Sequence, residues 1–458
     1  MKSTGLLIAA ALLAALTGVL YWSNHHKTED KPASDAPVAT KLLSFKDADV
    51  SKIEIDKKGA DQVDLAKGSD GKWAITAPKS LTGDQDAITG VISVLSGLNS
   101  ERVVEDHAID LKQYGLADPS VKIDLTMKDG KSQKLLLGDD TPTGNAVYAA
   151  VGGDPRVFTI ASYSKTSLDK GASDLRDKRL LTVNFDKVSQ VDLTAKKQNI
   201  EFGRSKDAWQ IVKPRPLRAD NFSVEDLVRK LKDAKMDLTA SADSDEKKIA
   251  AAFASATPVA TAKVTDATGT QTLEVRKAKT DYYAKSSAVA GVYKVAMDLG
   301  TSLDKSLDDF RNKKLFDFGF DDVSSVEMHD GSKAYSLVKG GMDWWSNGKK
   351  MDAMSSQAFI DKFRDLAATK FLDSGFTTPA ITMKVTSNDG KRVENVSIAK
   401  SGDTYIARRE GETNQRHVEQ HAKTPDAVEV RVVQFPAPDR DARAFQHDAH
   451  DCSDDQQI

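Results

Sequence analysis

One cysteine and eight histidines in 458 residues leave little for metal or redox chemistry to draw on. A single Cys excludes an internal disulfide framework and any multi-cysteine metal site. Charge of one sign is missing too: 65 Lys and Arg stand against 68 Asp and Glu, a net charge of −3. A chain without a basic field gives no support to nucleic-acid binding. Aromatic residues make up only 7% of the chain, and no stretch matches a catalytic motif. No catalytic residue, cofactor or metal ligand is therefore assigned, and the chain is read as not an enzyme. What remains is enough chain for two to four domains, with 40% hydrophobic and 29% charged residues, a globular composition.

Long apolar runs are also scarce, with one exception. From Gly5 to Trp22 the only polar interruption is Thr17. As a helix this run would reach about 27 Å, near the thickness of a bilayer's hydrocarbon layer. Tyr21 and Trp22 stand at its end, where amphipathic rings favour the headgroup layer. Tyr21-Trp22-Ser23-Asn24-His25 makes a poor cleavage site. Residues 1–22 are thus expected to be an uncleaved transmembrane signal anchor, with a cleaved signal peptide as the alternative. Residues 23–40, with Pro32 and Pro37, read as a polar linker. The expected location is the inner (cytoplasmic) membrane, single-pass, with the bulk of the chain extracytoplasmic.

The middle of the chain repeats itself. Trp73-Ala-Ile-Thr-Ala-Pro78 returns 136 positions on as Trp209-Gln-Ile-Val-Lys-Pro214, and Trp345 stands another 136 on, beside Trp344. Thr166-Ser-Leu-Asp-Lys170 and Arg176-Asp-Lys-Arg-Leu180 return 135 positions on, as Thr301-Ser-Leu-Asp-Lys305 and Arg311-Asn-Lys-Lys-Leu315. Val50-Ser-Lys-Ile-Glu-Ile55 has counterparts at Val188 and Val323. A period of this length is a small domain rather than a solenoid repeat.

Each copy alternates apolar and polar residues at the Val-Ser segment, which predicts a half-buried strand. The Trp-x-Ile segment predicts a second strand, ended by Pro78 or Pro214. Ile88, Val91, Ile92, Leu95 and Leu98 form one helical face, as do Val224, Leu227, Val228 and Leu231, where Ser223 with Asp226 reads as an N-cap. In the third copy the face is Phe359, Phe363 and Leu366. A hairpin follows at Val121–Met127 with Asp129-Gly130 as its turn, then a strand pair near Tyr148 and Phe158. The first two copies close with a helix whose expected caps are Thr166 and Thr301. The fold class is α+β: three tandem repeats of antiparallel sheet plus helices at 41–181, 182–316 and 317–412, the third incomplete.

Trp73-x-Ile-x-x-Pro78, Tyr114-Gly115-Leu116-x-x-Pro119, Leu137-Gly138 with Tyr148, and Asp174-Leu175-Arg176-Asp177-Lys178 together resemble the bacterial family known as domain of unknown function 4340. In the second copy the Tyr-Gly-Leu element has become Phe253-Ala-Ser-Ala-Thr-Pro258. The resemblance implies a membrane-anchored envelope protein whose partners are the membrane and ABC-type transporter subunits, including systems like those of gliding motility. It carries no catalytic residue. The readings left beside this scaffold role are a cell-wall or carbohydrate binder and an enzyme with an unrecognised site.

After Arg409 the pattern stops. Residues 413–458 hold His417, His421, His447, His450 and Cys452, with three prolines and little periodicity, and are expected to be mostly disordered. A change of reading frame near codon 412 would account for this end; an acquired tail is the alternative. His447-x-x-His450-x-Cys452 is too loosely spaced to be assigned a metal. Trp73, Trp209 and Trp345 are expected to anchor each sheet's core, leaving Trp344 exposed on the opposite strand face as the aromatic to test for binding. Arg176 and Arg311 are expected to cap a helix or pair with acids of the next repeat. Gly152-Gly153 and Gly340-Gly341 read as turn glycines, and His107 and His329 as isolated histidines.

Overall fold

The structure, a computed structural model, describes residues 40–206, 208–238, 246–320, 322–372, 374–402, 404–410 and the strand 428–432. The anchor expected at 1–22 and nearly all of the linker lie outside the described residues. Among those described, no helix is long and apolar enough to cross a membrane. The chain divides between Lys178 and Arg179 into two compact parts, the first holding one sheet and the second two.

The first sheet contains β1 (Val50–Lys57), β2 (Val63–Lys67), β3 (Trp73–Ala77), β4 (Leu81–Thr82), β5 (Arg102–Glu105), β6 (Val121–Met127), β7 (Ser132–Asp140), β8 (Ala146–Val151) and β9 (Val157–Ala161). Its order is β4-β3-β2-β1-β6-β7-β8-β9-β5, antiparallel throughout. The chain meanders outward from β1 to β4. Helix α1 (Gln85–Ser96) then crosses back, and a second meander starts on the far side of β1. The short helices α2 (Ser162–Leu168) and α3 (Ala172–Leu175) close the repeat.

The second sheet repeats the plan with β10 (Gln190–Ala195), β11 (Gln198–Ser205), β12 (Ala208–Lys213), β13 (Leu217–Arg218), β14 (Thr257–Asp266), β15 (Gly269–Ala278), β16 (Asp281–Ser286) and β17 (Val292–Val295). Its helices are α4 (Asn221–Lys232), α5 (Glu246–Ser255) and α6 (Met297–Leu303). The third has β18 (Val323–Asp330), β19 (Lys333–Gly340), β20 (Asp343–Ser346), β21 (Lys349–Met351), β22 (Lys370–Leu372), β23 (Ile381–Ser387), β24 (Arg392–Ser401), β25 (Thr404–Arg409) and β26 (Val428–Val432), with helix α7 (Ala353–Asp365). Its order, β21-β20-β19-β18-β23-β24-β25-β26-β22, matches the first sheet strand for strand.

The period-two pattern places the strands as expected. In β6, Val121, Ile123, Leu125 and Met127 are buried and the residues between them are half-buried, since alternate side chains point to opposite faces. The turn after it needs Gly130 at φ 83°. β3 ends at Ala77 and β12 at Lys213, each before a proline, and both X-Pro bonds are cis. Ile88, Val91, Ile92, Leu95 and Leu98 lie in one core with the inner face of sheet one, and Val224, Leu227, Val228 and Leu231 do the same on sheet two.

Three expectations are corrected. The long helix of each repeat is capped by an aspartate: Asp84, Asp220 and Asp352 each accept a backbone N–H from the first turn. Ser223 is inside its helix and donates its own N–H to Asp220 Oδ1 at 2.7 Å. Thr166 and Thr301 are not caps either, because α2 and α6 start four residues before them, after Ala161 and Ala296. Their hydroxyls instead donate back to the carbonyls of Ser162 and Met297, four residues earlier. Finally, β26 falls within the stretch expected to be disordered. It pairs with β25 and β22 and takes the place that β9 holds in the first sheet.

Candidate functional site

The repeated tryptophan occupies one slot in all three sheets. Trp73, Trp209 and Trp344 are buried, each opposite a cation on the neighbouring strand: Lys67, Arg204 and Lys339. Trp209 also donates its indole N–H to Glu225 at 2.8 Å. The expected assignment in the third copy is therefore reversed. Trp344, not Trp345, is the core residue, and it stands 135 positions after Trp209, the offset shown by the Thr-Ser-Leu-Asp-Lys and Arg segments. Adjacent strand residues face opposite ways, so one position exchanges inside for outside.

Trp345 is consequently 39% exposed on the outer face. Its ring lies over Gly340, where a Cβ would fall 2.9 Å from the indole. Val338 stands directly opposite and is 46% exposed, and Met342 in the connecting turn is 95% exposed. The corresponding outer positions are Ala74 and Ala66 in sheet one, and Gln210 and Gly203 in sheet two. At this pair of positions large apolar side chains face outward in the third repeat, and in sheet two the neighbouring Val212 is 41% exposed.

The motif residues that carry the resemblance are spent on packing. Tyr114, Leu116, Leu136, Tyr148 and Val157 form a small second core. The rings of Tyr114 and Tyr148 lie 5.0 Å apart. Tyr114 donates its hydroxyl to Glu105 at 2.8 Å, and that bond raises the Tyr114 pKa. Gly138 is required there, because a Cβ would sit 2.1 Å from the Tyr114 carbonyl. In the second repeat Phe253 on α5 is buried, with the Arg276 guanidinium 4.5 Å from its ring.

An open groove of about 840 Å³ lies beside this second core, lined by Asp106, His107, Gly152, Gly153, Asp154, Pro155 and Arg156. Arg156 makes a two-pronged bond to Asp154 (2.9 and 2.7 Å), which holds the Asp154 carboxyl below the usual range. Gly152-Gly153 forms the expected turn, with Gly153 at φ 86°. Asp154 and Arg156 are engaged with each other, and Asp106 and His107 are the other titratable residues of the lining. His329 is on β18 and is not among the residues that line this groove.

Sequence reasoning missed a repeated polar slot. Gln133 exchanges hydrogen bonds with the backbone of Ser44 (3.0 and 2.7 Å), and Gln271 accepts the Thr182 N–H at 2.8 Å. In the third repeat Glu394 takes this role, accepting the Asp317 N–H at 2.8 Å. Ser286 donates to the Leu180 carbonyl, and Arg409 donates to that of Leu315 at 3.1 Å. Arg409 also binds Glu394 at 2.6 Å, and Arg218 from β13 binds Asp317 at 2.5 Å. Burial pushes the Asp317 carboxyl upward, but Arg218 and Arg409 overcome this and hold it below the usual range. This mainly buried, charge-balanced set ties the second repeat to the third. The signal was present as Ser44/Gln133 and Thr182/Gln271, both 89 apart, but a deletion in the third repeat moves it to 77.

Arg176 and Arg311 are both buried and lie in short extended straps, bridging to Gly83 and Ala219. Arg311 pairs with Asp308 of its own repeat at 3.2 Å and lies 3.5 Å from the Phe371 ring. His447, His450 and Cys452 lie outside the described residues. Among those described, no group of three His, Cys, Asp or Glu is placed to hold a metal ion.

No curated protein and no solved structure matches the chain. A family model described as "Domain of unknown function (DUF4340)" matches residues 73–208 and 209–386, well over half of the chain. Both matched segments begin at the buried tryptophan, so the family's segment runs from β3 of one repeat into the next. With its motif residues placed in those cores and straps, the chain belongs to the DUF4340 family.

Proposed function

We propose that the chain is a membrane-anchored extracytoplasmic scaffold that binds a partner protein, an accessory of an ABC-type transport system. The apolar run at residues 5–22 supports the anchor, and the family resemblance supports the transport setting. The observation that carries the binding role is the contrast between repeats. The buried tryptophan serves the same structural slot in all three, while at the neighbouring outward pair of strand positions only the third repeat carries large apolar residues, Trp345 and Val338, with Met342 exposed in the turn between them. Exposed apolar patches of this kind mark interaction sites.

Cross-linking in membranes, followed by mild solubilisation and affinity capture, tests this reading. Recovery of ABC ATPase or permease subunits is the expected result, and their absence counts against it. A cell-wall or carbohydrate binder is the second reading, favoured by the exposed Trp345 ring. Retention on isolated peptidoglycan that Trp345→Ala abolishes would favour it over the first.

A further inference from the structure

In the first two repeats, the edge of the sheet is completed by a strap from the same chain. Asp84 donates its N–H to the Leu175 carbonyl and Asp177 donates to the Thr82 carbonyl, both at 2.8 Å. Asp220 donates to the Phe310 carbonyl at 2.8 Å and Asn312 to the Arg218 carbonyl at 3.0 Å. The straps read Asp174-Leu175-Arg176-Asp177-Lys178 and Asp309-Phe310-Arg311-Asn312-Lys313. Leu175 and Phe310 are fully buried beneath them.

The strands' register places Lys350, Met351 and Asp352 at the same position in the third repeat: Lys350 opposite Trp345, Met351 opposite Trp344, and Asp352 as the helix cap. There β21 is the edge strand, and among the described residues Met351 pairs with Trp344 and has no second bridge of the kind that joins Gly83 to Arg176 and Ala219 to Arg311. Asp352 is exposed, whereas Asp84 and Asp220 are half-buried under their straps. None of the four arginines after Arg409 stands between a Leu or Phe and an Asp or Asn.

We infer that this edge is a docking slot for an extended segment of another protein, with a large apolar residue, an arginine and an Asp or Asn in succession. This deepens the scaffold reading by giving the chemistry of the partner, and rests on it only in taking the partner to be a protein. The partner's segment adds a short antiparallel strap to β21, its main chain bonding to the Lys350 carbonyl and the Asp352 N–H, as the internal straps do. Its apolar side chain enters the position that Leu175 and Phe310 fill in the other repeats.

The probe is a capped synthetic peptide of residues 297–313, titrated into the full chain in detergent and followed by calorimetry. Two further peptides carry Phe310→Ala, which removes the buried side chain, or Asn312→Pro, which removes the donor N–H. A photo-reactive group at the peptide's last position reports where it binds. Saturable one-to-one binding, weakened at least about tenfold in both variants and cross-linked to residues 349–354, is the expected result. No binding at millimolar peptide, equal binding of all three peptides, or adducts at Arg218–Asp220 would overturn it. Binding seen only after removal of residues 433–458 would give the slot to the chain itself, and dimerisation of the chain without peptide uptake would give it to a second copy. Either outcome also overturns the inference. Peptide binding without any co-purifying transport subunit would uphold the slot and remove the transport reading.

Discussion

Ser356 on α7 occupies the position held by Ile88 and Val224, four residues after the capping aspartate in each repeat. It is 1% exposed, and its hydroxyl has no hydrogen-bond partner. A buried hydroxyl left unpaired costs about 1–3 kcal/mol. Ser356→Ala removes that cost without adding volume, and should stabilise the part of the chain after Lys178 by up to about 1 kcal/mol once the smaller side chain's lost packing is set against it. Ser356→Val also restores methyl burial, worth about 0.8 kcal/mol per group, and should reach about 1–2 kcal/mol. With about 2–4 °C per kcal/mol for domains of this size, calorimetry should show a rise of a few degrees in the transition of that part alone. The alanine variant is the control for crowding, since valine can fail by overpacking whereas alanine cannot. A clear loss of stability in Ser356→Ala would show that the hydroxyl is satisfied and refute the reasoning.

Glu394→Gln should destabilise by up to about 3–5 kcal/mol, because it takes a charge from buried Arg409; adding Arg409→Ser installs the neutral pair of the second repeat and should recover most of the loss, as a double-mutant cycle in urea would measure. Asp84→Ala and Asp220→Ala should each cost about 1 kcal/mol, read by thermal melting. Asp266, hydrogen-bonded by the Thr268 hydroxyl and by the backbone N–H groups of Asn184, Thr268 and Gly269, has its carboxyl lowered to about 2. A depressed carboxylate adds stability above the unfolded value near 4 and loses it as pH falls toward 2. Asp266→Asn should therefore flatten the stability profile between about pH 4 and pH 2, and an unchanged slope would contradict the assignment.

The parts of the fold carried by strong periodicity were legible. The Val121–Met127 hairpin and the Ile88-Val91-Ile92-Leu95 face are where alternation and helical spacing place them, since each buries a whole face. Position within a pair was less legible. Trp344 and Trp345 are both large and apolar, so composition cannot choose between them, and only the 135-residue offset of other segments separates the two. The caps were misplaced because serine and threonine near a helix start also occur inside it. The ionic network was invisible because its members, Arg218, Asp317, Glu394 and Arg409, come from four separate segments. The outward patch was expected in the right hairpin, on the wrong tryptophan, and the strap slot follows only from strand register.

The central claim, that the third repeat receives a partner protein, is tested most directly by a photo-reactive residue placed at Met351 of the full chain in its native membrane. The account predicts an adduct mapped to a segment of an ABC-type transport subunit containing a large apolar residue, Arg, and Asp or Asn. Adducts confined to the chain's own residues, to peptidoglycan, or absent while the same residue at the exposed Met354 still labels solvent-borne probes, would contradict it.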